Sequence, residues 1–225
     1  MRAILIEEPT KRLYIGEADE PVLAENELLV QVKATALNRA DLLQRRGLYT
    51  PPAGESPIMG LEMSGVIEQV GGNVSGWKPG DRVFALLPGG GYAERVSIPA
   101  GMAMRIPDSY SFEEAAAIPE VFLTAYLNLF VIGGLKHGQT VLIHAGASGV
   151  GTAAIQLVKE AGATSIVTAG TVAKRSACLE LGASAAIDYH AGPFTTLVLE
   201  ATGGQGVNLA LDFVGASYWD KISKP

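Results

Sequence analysis

The chain reads as an α/β protein in two parts, a β-rich N-terminal half followed by part of a doubly wound parallel sheet. Three observations predict this. Short strand runs broken by turn residues fill the first half; the segment VLIHAGASGVGTAAIQLVKEAGA, Val141 to Ala163, reads as strand, glycine turn and helix; and the β-branched run TSIVTAG, Thr164 to Gly170, completes a βαβ unit.

From Met1 to about Pro107 the strand runs are ELLVQVKATAL, MSGVIEQVG, DRVFALL and YAERVSIP. Reversals fall at Gly71-Gly72-Asn73, at Lys78-Pro79-Gly80-Asp81 and at Pro88-Gly89-Gly90-Gly91, which supply the fixed or positive φ that turns require. Alternation along the runs is partial, as expected of a compact barrel. The character changes at SFEEAAAIPEVFLTAYLNLF. Ser111 opens a capping box with Glu114, the alanines favour helix, and Pro119 starts a second helix. A boundary between 108 and 125 follows, giving domains 1–120 and 121–225.

In the second half, residues 140–145 give an apolar strand, Gly146, Gly149 and Gly151 a turn, and a helix opens on Thr152 and stops at Gly162. Backbone N–H groups at such a helix start face the turn, and the helix dipole favours a negative group there. A dinucleotide pyrophosphate is the usual occupant, in a fold of the Rossmann type. Gly146, Ala147, Ser148, Gly149, Val150 and Gly151 form the expected cradle. Set on the pattern G-x-G-x-x-G, they place Ser148 at the second glycine, small enough for close approach and adding a hydroxyl donor. The alternative is an ordinary strand-to-helix turn whose glycines serve packing. An NAD-preferring site would carry Asp or Glu near the end of the next strand; here Gly170, Thr171, Val172, Ala173, Lys174 and Arg175 follow. Small residues and then cations suit a 2′-phosphate, so NADP is expected over NAD. The alternative for Lys174 and Arg175 is a solvated helix face. SAAIDY is read as a third strand and LALDFVG, Leu209 to Gly215, as a fourth.

The 225 residues are 48% hydrophobic and 18% charged, enough for a sizeable core. A net charge of −6 argues against a nucleic-acid or anionic-membrane surface. A single cysteine, Cys178, leaves no intramolecular disulfide and no cysteine-rich zinc site, and makes the cytoplasm the expected compartment. The opening MRAILIEEPT turns acidic and reaches Pro9 before any long apolar run, unlike a signal peptide or membrane span.

The order of a β-rich half, a helical link and a dinucleotide fold resembles the medium-chain dehydrogenase/reductase superfamily. The wording ALNRADLLQRRGLYTPP, GLEMSGVIEQVG, PGDRVFALLPGGGYAE and AAAIPEVFLTAY, with the glycine turn, resembles its zinc-free quinone oxidoreductase branch over nearly the whole chain. The resemblance implies a GroES-like N-terminal domain, NADPH as cofactor and a quinone as substrate. Zinc-dependent members hold their metal through a cysteine in the segment matching ALNRAD and a histidine in a Gly-His-Glu triplet. Here the triplet reads Gly60-Leu61-Glu62 and the segment has no cysteine, so no metal is expected. His137, His144 and His190 lack ligand spacing, and His144 is read as a packed histidine supporting the turn.

Without a metal or a nucleophile triad, the chemistry rests on hydride from the cofactor, with the protein supplying position and exclusion of water. The resemblance places Asn38 and Tyr49 in the substrate cleft and Thr124 beside the nicotinamide carboxamide. It also puts Tyr189 with Lys174 at the 2′-phosphate, and the fourth strand's end, with Val214, near the ribose. Tyr49 is the expected general acid, with packing against Pro51 and Pro52 as its alternative. Asp41 is read as a helix-start carboxylate and Cys178 as buried.

Such a fold has six strands in the order 3-2-1-4-5-6, and four are legible here. The family pattern continues with a helix, two more strands, one of them at the usual homodimer interface, and a return to the first domain. The tail KISKP departs from that pattern, and a truncated or alternatively spliced product is the expectation. Two readings stay open: an NADPH-dependent reductase of quinones or activated alkenes, and a non-catalytic fragment that binds nucleotide weakly at most.

Overall fold

Two strands that the sequence pattern does not announce open the chain. β1 (Arg2–Glu7) and β2 (Arg12–Glu17) pair antiparallel as a hairpin of their own. In the computed structural model, which describes residues 1–215 and 218, two compact units form, Met1–Glu120 and one opening at Val121. The expected departure at the tail KISKP lies outside the described residues.

The first unit is built on a five-stranded antiparallel sheet. Its strands are β3 (Glu27–Thr35), β4 (Glu62–Val70), β5 (Arg82–Leu86), β6 (Arg95–Pro99) and β7 (Met104–Arg105), in the order β6-β3-β4-β5-β7. Among the described residues β6 and β7 do not pair, so the expected barrel is an open sheet with two edges. Leu28, Val30, Met63, Ile67, Val83 and Ile98 alternate inward along these strands and form its core. A short helix, α1 (Arg39–Arg45), follows β3.

The helical link begins with α2 (Phe112–Ala116). Ser111 caps it: its hydroxyl accepts from the Glu114 N–H at 3.1 Å, and Glu114 reaches back to the Ser111 N–H at 2.8 Å. α3 (Pro119–Tyr126) follows and runs into a π-helical stretch, Leu127–Ile132. By length and composition the run Phe112–Ile132, with mean hydropathy 1.7, could cross a membrane. The break between Ala116 and Pro119 divides it, however, with Ala115 buried in the first unit and Ala125 and Leu129 in the second. Leu123, Tyr126, Leu127, Val131 and Ile132 are exposed.

In the second unit a parallel sheet comprises β8 (Thr140–Ile143), β9 (Thr164–Thr168), β10 (Ala185–Ile187) and β11 (Leu209–Leu211), in the order β10-β9-β8-β11. This is the 3-2-1-4 core of a doubly wound sheet. Between the strands run α4 (Gly149–Glu160), α5 (Val172–Leu181) and α6 (Phe194–Ala201). Both faces are covered: Val141, Ile143 and Val167 pack with Ala153, Ile155 and Cys178, whereas Leu142, Ile166 and Ile187 pack with Phe194 and Val198. Burial on both sides explains why these strands read as continuous apolar runs. The fourth strand ends at Leu211 and not at Gly215, because the Asp212 carboxylate accepts the N–H groups of Val214 and Gly215 and turns the chain away.

Candidate functional site

The glycine turn departs from its sequence reading at one point. α4 opens at Gly149, not Thr152, because Ser148 is its N-cap: extended at φ −78°, it accepts the Gly151 N–H through Oγ at 3.1 Å. Gly149, Val150 and Gly151 are thus the first helical turn. The N–H groups of Gly149 and Val150 have no acceptor within the helix and are left for whatever occupies the turn. Gly151 is required by close approach, since a Cβ there would lie 2.5 Å from the Ala145 carbonyl oxygen and 2.6 Å from that of Gly146. Gly146 donates to the Thr168 carbonyl at 3.0 Å, which ties the turn to the end of β9. A dinucleotide pyrophosphate fits this donor set.

Behind the turn, His144 is fully buried. Its Nδ1 lies 3.0 Å from Thr168 Oγ1, and the rings of Phe194 and Tyr218 meet it edge-on. Burial holds its pKa below the usual histidine value, partly opposed by Asp212. Cys178 is buried too, and burial raises its thiol pKa.

At the end of β9 the structure brings Gly170 and Tyr189 together. A Cβ on Gly170 would meet the Tyr189 hydroxyl at 2.6 Å and His190 Nε2 at 3.0 Å, and the two rings lie 4.2 Å apart. His190 is a member of this corner that sequence reasoning did not place. Thr171 caps α5 and accepts the Lys174 N–H at 3.3 Å. The Lys174 ammonium has no carboxylate partner among the described residues. Arg175 differs from both readings offered for it: Nη1 contacts Asp188 Oδ2 at 2.6 Å. The Asp188 carboxyl is held below its usual range by the His190 N–H first and also by Arg175. Val214, beyond β11, is exposed. Thr124 lies in the second turn of α3, where its carbonyl accepts from Asn128 Nδ2 at 2.8 Å.

In the first unit, Asn38 is the N-cap of α1, and its N–H donates to Asp41 Oδ2 at 2.7 Å. Asp41 is therefore a helix-start carboxylate, and it accepts the Tyr92 hydroxyl at 2.8 Å as well. Burial first, then Asp41, pushes the Tyr92 pKa well above the usual phenol value. The Asn38 amide donates to Glu62 Oε1 at 2.7 Å, and the Glu120 N–H donates to Glu62 Oε2 at 2.8 Å. Glu62 is only 1% exposed. Burial raises its pKa, and the two hydrogen bonds oppose that rise. A cavity of about 350 Å³ is lined by Leu13, Leu37, Asn38, Asp41, Arg45 and Tyr92. Tyr49 does not line it; the residue is 36% exposed in the bend after α1. Sequence reasoning missed the Asn38–Glu62 pair, although a glutamate inside the apolar run LEMSGVI signals a buried carboxylate needing partners. Among the described residues no group of three or more His, Cys, Asp or Glu side chains could hold a metal ion.

The model of the alcohol dehydrogenase GroES-like domain matches residues 24–108, and that of the zinc-binding dehydrogenase domain matches residues 149–224. The Escherichia coli quinone oxidoreductase solved with NADPH superposes at a TM-score of 0.85 and 35% identity, over 98% of this chain and 67% of that one. The chain belongs to the medium-chain dehydrogenase/reductase superfamily. A second solved structure, CurK enoyl reductase, gives a TM-score of 0.90 at 29% identity, over 98% of this chain and 69% of that one. The human synaptic vesicle membrane protein VAT-1 homolog is 37% identical over 208 residues, 92% of this chain and 52% of that protein. The chain thus spans about half the length of the VAT-1 homologues it matches. As a member of this superfamily of oxidoreductases it carries a GroES-like unit and a Rossmann-type parallel sheet.

Proposed function

We propose that the chain is an NADPH-dependent, zinc-independent reductase whose substrate is a quinone. The observation that carries the cofactor preference is the corner after β9. No Asp or Glu follows β9 before Lys174, whereas Thr171, the Lys174 ammonium, which has no carboxylate partner among the described residues, and the Tyr189 phenol over Gly170 offer donors to a phosphate dianion. The NADPH complex of the Escherichia coli relative supports the same choice.

When bound, NADPH supplies the hydride. Gly149 and Val150 would hold the pyrophosphate, with the Ser148 hydroxyl engaged in capping, and Thr124 would hold the nicotinamide carboxamide. On the substrate side, the Asn38 backbone is held by Asp41 and its NH₂ by Glu62, and Oδ1, beside the Asp41 N–H in the capping box, has one lone pair left to accept. Tyr49, exposed and with no hydrogen bond to the described residues, is free to donate a proton to the reduced substrate oxygen. A quinone suits this arrangement because its carbonyls need no metal to become electrophilic. The enoyl reductase neighbour favours activated alkenes as the second reading, in which the same tyrosine protonates carbon or enolate oxygen.

The test is Lys174→Ala, assayed with an ortho-quinone and with an enone. We expect KM for NADPH to rise about tenfold or more, as for loss of a charge-assisted hydrogen bond, with KM for NADH nearly unchanged. An equal change for both cofactors refutes the NADPH assignment. NADPH binding without turnover of either substrate class favours a nucleotide-binding fragment.

A further inference from the structure

We propose that Glu62, the buried first residue of β4, is a positioning residue that fixes the Asn38 amide and the first turn of α3 together. The proposal rests on the reading of Asn38 as a cleft residue given above. Its two carboxylate oxygens are divided between two donors, Asn38 Nδ2 at 2.7 Å and the Glu120 N–H at 2.8 Å. Its backbone carbonyl is also engaged, accepting Thr35 Oγ1 at 2.7 Å. Neither the carboxylate nor its strand can shift without breaking one of these bonds.

An ionised carboxylate only accepts hydrogen bonds, so it orients any amide that faces it. With Glu62 in place, Asn38 must turn its NH₂ inward, which turns Oδ1 to the start of α1, where the capping box sets it toward the Asp41 N–H and one lone pair remains to accept. The reverse orientation would set two acceptor oxygens against each other in a buried site. The backbone that carries the amide is held as well: the Asn38 N–H donates to Asp41, which is held in turn by Tyr92. The second oxygen acts on a different element. Glu120 is the second residue of α3, so its N–H is one that the helix leaves without an acceptor, and Glu62 supplies a negative one where the helix dipole favours it. Thr124 stands one turn further along that helix. A single side chain therefore orients the Asn38 amide and satisfies the first turn of α3.

A filler of the same shape could not do this. Glutamine at 62 has one acceptor and one donor, so with its oxygen on the Glu120 N–H its NH₂ faces Asn38, which must reverse its amide and break the capping-box orientation of Oδ1. Exchanging the polarity of the pair should restore both bonds: in Glu62→Gln with Asn38→Asp, the new glutamine NH₂ donates to the new carboxylate and its oxygen accepts from Glu120. The decisive measurement is hydrogen exchange of assigned side-chain amides by NMR, with thermal unfolding alongside. In the wild-type chain the Asn38 NH₂ should exchange about tenfold or more slowly than an exposed asparagine amide. Glu62→Gln should lose that protection and lower the midpoint, and the double variant should recover the midpoint with protection moved to the new glutamine NH₂. An unprotected Asn38 amide in the wild type, protection unchanged by Glu62→Gln, or a double variant no better folded than the single one overturns the proposal. Where the wild type turns over substrate, Glu62→Gln should lower kcat by about 10- to 100-fold, more than it raises KM, as expected of a misaligned group. Absence of turnover in the wild type would count against the reductase reading and leave the amide result to decide the role of Glu62.

Discussion

At the scale of single residues, His144 shows what burial does to a titratable group. The ring is fully buried between Phe194 and Tyr218, with one nitrogen near Thr168 Oγ1 and Nε2 without a partner among the described residues. Its pKa lies below the ordinary 6.5, so between the two values the unfolded chain binds a proton that the folded chain does not. The stability this neutral ring contributes is present above 6.5 and is lost as pH falls below it. Urea midpoints should therefore drop between pH 8 and pH 5.5, and the drop should shrink in His144→Gln; an undiminished drop would contradict the assignment. The packed role of His144 was legible from its place at a strand end. The pairing of Arg175 with Asp188 was not, because it depends on how β10 lies beside β9, and the residues are 13 positions apart. Asn38 and Glu62, 24 positions apart, escaped for the same reason: the pair exists only in the register of β3 against β4.

At the scale of elements, the glycine turn is where local sequence and tertiary demand meet. Three glycines in six residues hide the helix start from propensity, and only the Ser148 cap discloses it. Gly151→Ala would push a methyl against two backbone carbonyls that cannot move independently of β8. We expect a loss of about 1–3 kcal/mol in unfolding free energy, as for overpacking, and loss of NADPH binding measured by nucleotide fluorescence. Binding at wild-type affinity would show that the turn is not the cradle. The βαβ unit, the Ser111 capping box and the Pro119 start were legible because each is local. The first hairpin was not: β2 is exposed along most of its length, so no alternation marks it. The barrel expectation failed for a related reason, since partial alternation reports burial of one face and says nothing about whether edge strands meet.

At the scale of the whole molecule, two units with separate cores make ligand effects separable. NADPH bound to the Rossmann unit at 100 times its Kd should stabilise that unit by about 2.7 kcal/mol. Calorimetry with and without nucleotide should show the shift, and NADH at equal concentration should give less of it. No shift at saturating NADPH would remove the cofactor from the proposal. One feature of the parallel sheet bears on when this response can arise. β9 joins β8 soon after it is made, but β11 reaches β8 only across some seventy residues of chain, marked by Asn208 Oδ1 accepting the Thr140 N–H across 68 positions. The crevice at the strand ends where the order reverses is bounded by that late partner. Closing so long a loop is slow relative to local pairing. Nucleotide seated on the glycine turn and reaching into that crevice would thus tie the late-arriving β11 to a βαβ unit that already carries the cradle, and so act most strongly on the completed sheet.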